Sequence, residues 1–466
     1  MDKHHKRSNF SGTVGFVLAA AGSSVGLGNI WRFPYLAAKD GGGVFLLCYI
    51  ILALTFGFTL LTTEIAIGRK TAQSPLTAYE KLKSGWGWLG VLACLVPLII
   101  LPYYCTIGGW VLKYFFTYMT GGGTGTVADD YFTGFITSQG EPVIWFILFL
   151  AATTMIVYKG VNHGIEKYSR VLMPILLILI LGTSFFSLTL KNTDENGMVR
   201  TGLQGLAVYI IPNFSGMTLQ KFMSILTDAM GQLFYSISVA MGIMIAYGSY
   251  VKKDANLSKA VNQIEFFDTL VAFLAGMMII PAVYTFMGTE GMSAGPGLMF
   301  VSLPKIFAAM GKIGMVIGWG FFLMVFFAAV TSSVSVMEAV VSSVMDKFTM
   351  ERKKATLLVG AITLIVGVVV CLGYNLLYFE VKLPNGSVGQ ILDVMDYLSN
   401  SLLMPVVSIA TCILAGWVVG PGTVIEEVTI SGCKFGRQKL YVLMVRYIAP
   451  ILLFILLLQS LGVIRL

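Results

Sequence analysis

Eleven times along its 466 residues this chain runs apolar for about 17 residues or more, the length that crosses a bilayer as helix. No other feature limits its fold so strongly. Hydrocarbon offers no partner to a backbone N–H or C=O, so only helices and closed barrels can cross it. Barrel strands would alternate apolar and polar in segments of about ten residues, a pattern the sequence lacks. Composition agrees: 56% of the residues are hydrophobic and 12% are charged. A soluble domain carries about 25% charged residues to cover its surface. We therefore read an all-α polytopic membrane protein with one transmembrane domain over 1–466 and no soluble domain.

The spans are expected near 11–37, 41–68, 88–118, 142–158, 168–189, 218–250, 259–287, 315–345, 355–375, 389–418 and 441–463. The basic stretch MDKHHKRSNF leads straight into the first run without a small-residue cleavage site, so that run is read as a retained helix. Lys and Arg set the orientation. Of the 31, 20 fall at the N-terminus and in every second loop, among them Lys81, Lys159, Lys252, Lys353 and Lys434. The N-terminus is expected in the cytoplasm, the C-terminus outside, and the protein in a bacterial inner (plasma) membrane. The formal net charge of +8 is mostly this topology signal, so no nucleic-acid partner is expected. The apolar stretch GMSAGPGLMFVSLPKIF (291–307) reads as a re-entrant or capping segment outside.

Chemistry is sparse. The six cysteines form no CxxC or Cys/His spacing, so neither a disulfide framework nor a zinc site is expected. His4, His5 and His163 are the only histidines, and no GxSxG or HExxH occurs. A channel would need repeated pore segments or rings of like ligands. We expect neither an enzyme nor an organic cofactor.

Two of the apolar runs are spoiled in the middle. The first, LAAAGSSVGLGNIWRFPY (18–35), places Gly22, Gly26 and Gly28 within seven residues, then Arg32 and Pro34. The sixth changes from helix formers to FYSISVAMG (234–242) at its centre. Unwinding a helix in hydrocarbon exposes amides and carbonyls that cost several kcal/mol each when unpaired. Such breaks persist where something binds them: anions at half-helix N-termini, cations at the carbonyl ends. Paired interrupted helices at corresponding places point to a transporter's midplane site. Spans one to five (about 11–189) and six to ten (about 218–418) would then form a 5+5 inverted repeat with broken helices one and six, followed by an additional helix (441–463).

AGSSVGLGNIWRFPY (21–35) resembles the first helix of the neurotransmitter:sodium symporter family. The resemblance continues in GQLFYSIS (231–238), AYGSYV (246–251), FFAAVTSSVSVMEA (326–339) and LDVMDY (392–397). It implies sodium-coupled import of a small amine or amino acid by alternating access. A first sodium site would use Ser24, Asn29, Ser236 and Asp268, completed by the substrate carboxylate. A second would use the carbonyls of Gly22, Val25 and Ala328 with Thr331 and Ser332. The substrate would lie against Ser24, Gly26, Gly28, Ile100, Tyr104, Tyr235, Ser236, Ser238, Met241, Ser332 and Val336. Members that carry monoamines have an aspartate where Gly26 stands. A glycine there implies a substrate that brings its own carboxylate, and the apolar lining implies a neutral aliphatic or aromatic amino acid. Arg32 with Asp396 would close the outside and Arg7 with Asp346 the inside. Where this chain has Asp268, many members have asparagine beside a chloride held from the positions of Tyr49, Gln232 and Ser236. A fixed carboxylate would replace that chloride, implying chloride-independent transport. Lipid is an expected partner; oligomeric state is left open.

Overall fold

The computed structural model of the chain describes residues 9–193, 197–288, 291 and 296–464. Among them, nine helices are long and apolar enough to cross a membrane: Gly43–Thr71, Gly87–Met119, Glu141–Tyr158, Val161–Leu188, Leu257–Met287, Gly311–Phe348, Arg352–Leu372, Ile391–Val418 and Gln438–Ser460. The bent pair Thr13–Ser24 and Gly28–Lys39, at 54° to each other, makes a tenth if counted as one span. The sixth apolar run yields Leu219–Ser236 and the short Ile243–Gly248, with a non-helical joint between them. Ile243–Gly248 is under two turns long, so this run does not form the single helix its length alone predicts.

One boundary and one fold-class detail differ from the sequence reading. The fifth span starts at Val161 rather than 168, because Gly160 adopts φ +87° and a π-helical turn, Val161–Glu166, restarts the chain. The chain is not wholly helical. Lys191–Thr193 pairs with Val199–Thr201, and Val381–Lys382 with Val388–Gly389, as two antiparallel hairpins. Both lie in polar connections between apolar runs, where a hairpin satisfies its own backbone groups.

The core is a packed set of long helices around the two broken ones. Gly311–Phe348 runs along Gly87–Met119, Glu141–Tyr158 and Lys167–Leu188, and Thr13–Ser24 packs against it. Apolar side chains gain little by leaving lipid for protein, so close backbone approach carries the association. Gly68 and Gly248 show it in a reciprocal contact. A Cβ on Gly68 would fall 2.0 Å from the Ile245 carbonyl oxygen, and one on Gly248 would fall 2.4 Å from that of Ile65. This pins the short helix Ile243–Gly248 to Gly43–Thr71.

The apolar 291–307 stretch includes the short helix Leu298–Ala309. Phe300 lies buried there, its ring 4.9 Å from Phe132 and 6.0 Å from Trp110, and 6.4 Å from Trp31 of the first broken helix. Tyr114 donates a hydrogen bond to its carbonyl at 2.9 Å. Its described part around Phe300 is therefore packed down rather than solvated.

Candidate functional site

The first break is a helix that stops at Ser24 and restarts at Gly28. Pro34 follows the π-helical turn Gly28–Arg32, at the start of the regular α-helical part Phe33–Lys39. The second break is more strained. Ser238 and Ala240 adopt φ +55° and +62°, a left-handed conformation that costs roughly 1–2 kcal/mol for a non-glycine residue. Buried Glu64 helps to hold it there, accepting the Ala240 N–H at 2.6 Å. The two breaks then meet: Ser238 Oγ donates to the Ser23 carbonyl at 3.0 Å, and Ser23 Oγ to Ser238 Oγ at 3.1 Å.

All the residues expected to hold the substrate line one space between these breaks, namely Ser24, Gly26, Gly28, Ile100, Tyr104, Tyr235, Ser236, Ser238, Met241, Ser332 and Val336, with Ser23, Leu27 and Asn29. A Cβ on Gly26 would lie 2.9 Å from Ser332 Oγ and 3.1 Å from Tyr104 Oη; one on Gly28 would lie 2.9 Å from the Tyr235 ring. A side chain at either position would therefore push Ser332, Tyr104 or Tyr235 aside. Tyr104 Oη accepts from the Leu27 N–H at 3.4 Å, so a hydroxyl and an amide converge beside Gly26.

Two polar clusters flank this space. In the first, Asp268 is fully buried. Its Oδ1 accepts from Ser236 Oγ at 2.6 Å and from Asn29 Nδ2 at 2.9 Å, and its Oδ2 from Tyr49 Oη at 3.2 Å. The Asn29 amide oxygen accepts from Gly26 N at 3.1 Å. Gln232 turns away from the acid, donating to the Gly28 carbonyl at 3.0 Å. Tyr49 and Ser236 therefore meet Asp268 directly, while Gln232 does not.

In the second cluster, Ser332 Oγ lies 3.3, 3.0 and 3.3 Å from the carbonyl oxygens of Gly22, Ser23 and Val25. One hydroxyl proton can serve only one of three acceptors. Thr331 Oγ1 is 3.0 and 3.1 Å from the carbonyls of Phe327 and Ala328 on its own helix. Neutral hard oxygens in excess of donors suit a small alkali cation. Ser23 joins this set although its position in the sequence had not singled it out. Only the folded break shows which carbonyls turn inward.

The proposed gates are only partly assembled. Asp396 is not in a direct ion pair with Arg32: Tyr103 Oη and Asn400 Nδ2 donate to it at 3.2 and 2.6 Å. Arg32 instead points toward Gly231, where a Cβ would meet its guanidinium at 3.9 Å. The outer pair expected from sequence is therefore unformed in this conformation. Lys39 bonds Asp228 at 2.8 Å, tying the outer halves of the two broken helices together. Inside, Arg7 lies outside the described residues. Asp346 accepts the Ser74 N–H at 2.7 Å. Phe10 packs edge-on to Tyr247 and Tyr250, at 5.7 and 6.2 Å.

Glu338 is fully buried, and the structure gives it partners. Arg352 holds it with two bonds of 2.6 and 2.8 Å, and Tyr250 donates at 2.7 Å. This joins the long helix Gly311–Phe348 to the end of the second broken helix. Arg352→Ala would strand a buried carboxylate, and a loss of about 3 kcal/mol is expected, read as a lower thermal midpoint of the purified protein. Glu338→Gln,Arg352→Gln together should recover part of that loss.

The family profile described as the sodium:neurotransmitter symporter family matches residues 7–124 and 131–465. The chain belongs to this family. It is a sodium-dependent symporter, and a multi-pass membrane transporter. The uncharacterized sodium-dependent transporter YhdH of Bacillus subtilis is 31% identical over 468 residues, covering 98% of both chains. The uncharacterized sodium-dependent transporter MJ1319 of Methanocaldococcus jannaschii is 32% identical over 465 residues, covering 96% of this chain and 89% of its own. The crystal structure of MhsT in complex with L-phenylalanine superposes with a TM-score of 0.84 at 34% identity, over 97% of this chain and all of that one.

Proposed function

We propose that this symporter imports a neutral hydrophobic amino acid with sodium, by alternating access and without chloride. One observation carries the reading. The space between the two breaks has no acidic side chain at position 26 and no room for one, so an amine substrate must bring its own carboxylate. The Leu27 N–H and the Tyr104 hydroxyl, at the N-terminal end of Gly28–Lys39, are placed to bind it. Ile100, Tyr235, Met241 and Val336 offer an apolar wall for the side chain, and flexible Met241 adapts to shape. A relative crystallised with phenylalanine supports this substrate class.

Two sodium ions fit the two oxygen clusters. One would sit with Ser24, Asn29, Ser236, Asp268 and the substrate carboxylate. The other would sit with Gly22, Val25, Ala328, Thr331 and Ser332, joined by the neighbouring Ser23 carbonyl. Because ion and substrate share ligands, each raises the affinity of the other by the same factor. The sodium gradient can then drive accumulation of the amino acid. Asp268 supplies a fixed negative charge beside the first ion. Arg32 with Asp396 would close the outer mouth once substrate is bound, and Arg7 with Asp346 would close the inner one.

We read the chain as one transporter domain with eleven crossings, the second broken helix included, arranged as a 5+5 inverted repeat plus a final helix. Its N-terminus faces the cytoplasm and its C-terminus the outside of an inner membrane.

Labelled phenylalanine or leucine should accumulate against its gradient in proteoliposomes only when sodium is present outside. A panel of twenty amino acids should show competition by apolar side chains and none by charged ones. Uptake unaffected by replacing sodium with choline would sink the coupling. Competition confined to other small zwitterions would favour the second reading, a sodium-dependent transporter of another small zwitterionic amine or amino acid. Ser332→Ala should raise the sodium concentration for half-maximal uptake by roughly tenfold, since it removes one charge-assisted ligand.

A further inference from the structure

Arg446 is a cation on the membrane-facing side of the bundle with no acid paired to it among the described residues. It lies in Gln438–Ser460, at a π-helical turn, Met444–Ile448, which faces a second one, Leu414–Val418. The two turns exchange bonds. Arg446 Nε donates to the Gly416 carbonyl at 3.0 Å, and the Trp417 indole N–H donates to the Arg446 carbonyl at 3.0 Å. Among the described residues, the guanidinium has no partners other than that carbonyl and the Trp417 ring, 5.7 Å away. Its two terminal NH₂ groups therefore remain to be satisfied.

The surroundings state what could satisfy them. Trp417 and Tyr447 are 56% and 47% exposed and meet edge to face at 5.4 Å, beside the cation. Exposed Ile413, Leu443 and Ile451 continue the face as apolar surface. Helix length bears on the depth. Tyr397 Oη bonds the Ser460 carbonyl at 2.8 Å near the other end of the same two helices. From Tyr397 to Trp417 is about 30 Å of helix, close to one hydrocarbon thickness. Trp and Tyr are enriched where a helix meets the membrane surface, and Lys434, Arg437 and Lys439 lie at or just before the start of the helix that carries Arg446.

From this geometry we propose that Arg446, Trp417 and Tyr447 form a binding site for the phosphate of an anionic phospholipid, with its acyl chains lying along the apolar face. A guanidinium presents paired donors in the geometry that phosphate oxygens accept. Anionic headgroups attract a cation near the membrane surface by about 1 kcal/mol. The site rests on the membrane-spanning fold, not on the identity of the transported substrate.

Native mass spectrometry of the full chain in mild detergent, titrated with phosphatidylglycerol, tests the proposal. The wild-type protein should bind one molecule about fivefold more tightly than Arg446→Gln. Arg446→Lys should fall between them, and Trp417→Leu should weaken binding as well. Phosphatidylcholine should bind the wild type and Arg446→Gln equally. Retention of phosphatidylglycerol by Arg446→Gln at wild-type affinity would overturn the site. So would competition by glycerol phosphate, which lacks the chains, or a change in subunit number in place of lipid loss. The sodium-dependent uptake of each variant provides the control for folding; should Arg446→Gln fail it, Arg446→Lys and Trp417→Leu decide the matter.

Discussion

Gly26→Asp is expected to lower sodium-driven uptake of hydrophobic amino acids by at least about 100-fold, the equivalent of roughly 2.7 kcal/mol. The added Cβ alone would sit 2.9 Å from Ser332 Oγ and 3.1 Å from Tyr104 Oη. Overpacking of this kind costs about 1–3 kcal/mol. The carboxylate adds a second penalty, since it would lie where the substrate's own carboxylate is proposed to bind, and two anions in low dielectric repel strongly. Gly26→Ala separates the two effects. It should retain the preference for amino acids over amines, with the half-saturating concentration raised by about tenfold. Gly26→Asp should shift the remaining binding toward the decarboxylated amine of the same side chain. Amino-acid binding by Gly26→Asp at wild-type strength, measured by scintillation proximity, would remove the proposed carboxylate position.

The second large effect is expected at Asp268. With chloride replaced by gluconate, uptake by the wild-type protein should be unchanged, whereas Asp268→Asn should lose about 100-fold. Restoring chloride should rescue much of that loss. The reasoning is electrostatic. Sodium beside a fully buried cluster needs a compensating negative charge, and Asp268 supplies one that Ser236, Asn29 and Tyr49 already hold with hydrogen bonds. Asparagine keeps the shape and removes the charge, leaving the Tyr49 and Ser236 hydroxyls free to donate to an anion. A chloride requirement in the wild-type protein would overturn the assignment of Asp268 as its substitute. Full activity of Asp268→Asn without chloride would show that the charge is dispensable.

Much of this architecture was legible because a bilayer restricts the chain so severely. Runs without charge had to become helices, and long helices appear in all but two of the places expected. The exceptions are the two spoiled runs, and they were legible for the opposite reason. Gly22, Gly26, Gly28 and Pro34 in one, and the FYSISVAMG change in the other, are residue choices that an uninterrupted helix would not make. The sequence could also mark Gly26 as a missing side chain. What it could not show is that a Cβ there would meet Ser332 and Tyr104, residues 306 and 78 positions away.

Single ionic contacts were the least legible part. The charges Arg32 and Asp396 were visible as a costly pair at membrane depth, yet Asp396 takes its bonds from Tyr103 and Asn400 instead. Glu338 takes its partner, Arg352, from the start of a different helix.

By itself the sequence determined that the chain crosses a membrane many times, that two of its helices are interrupted, and which glycines leave room at the interruptions. Those properties depend on local chemistry: side-chain hydropathy, helix propensity and the absence of a Cβ. Tertiary structure decided which breaks face each other, which carbonyls of Gly22, Ser23 and Val25 gather around one hydroxyl, and which charges are paired. These depend on distances between residues hundreds of positions apart, which only packing sets.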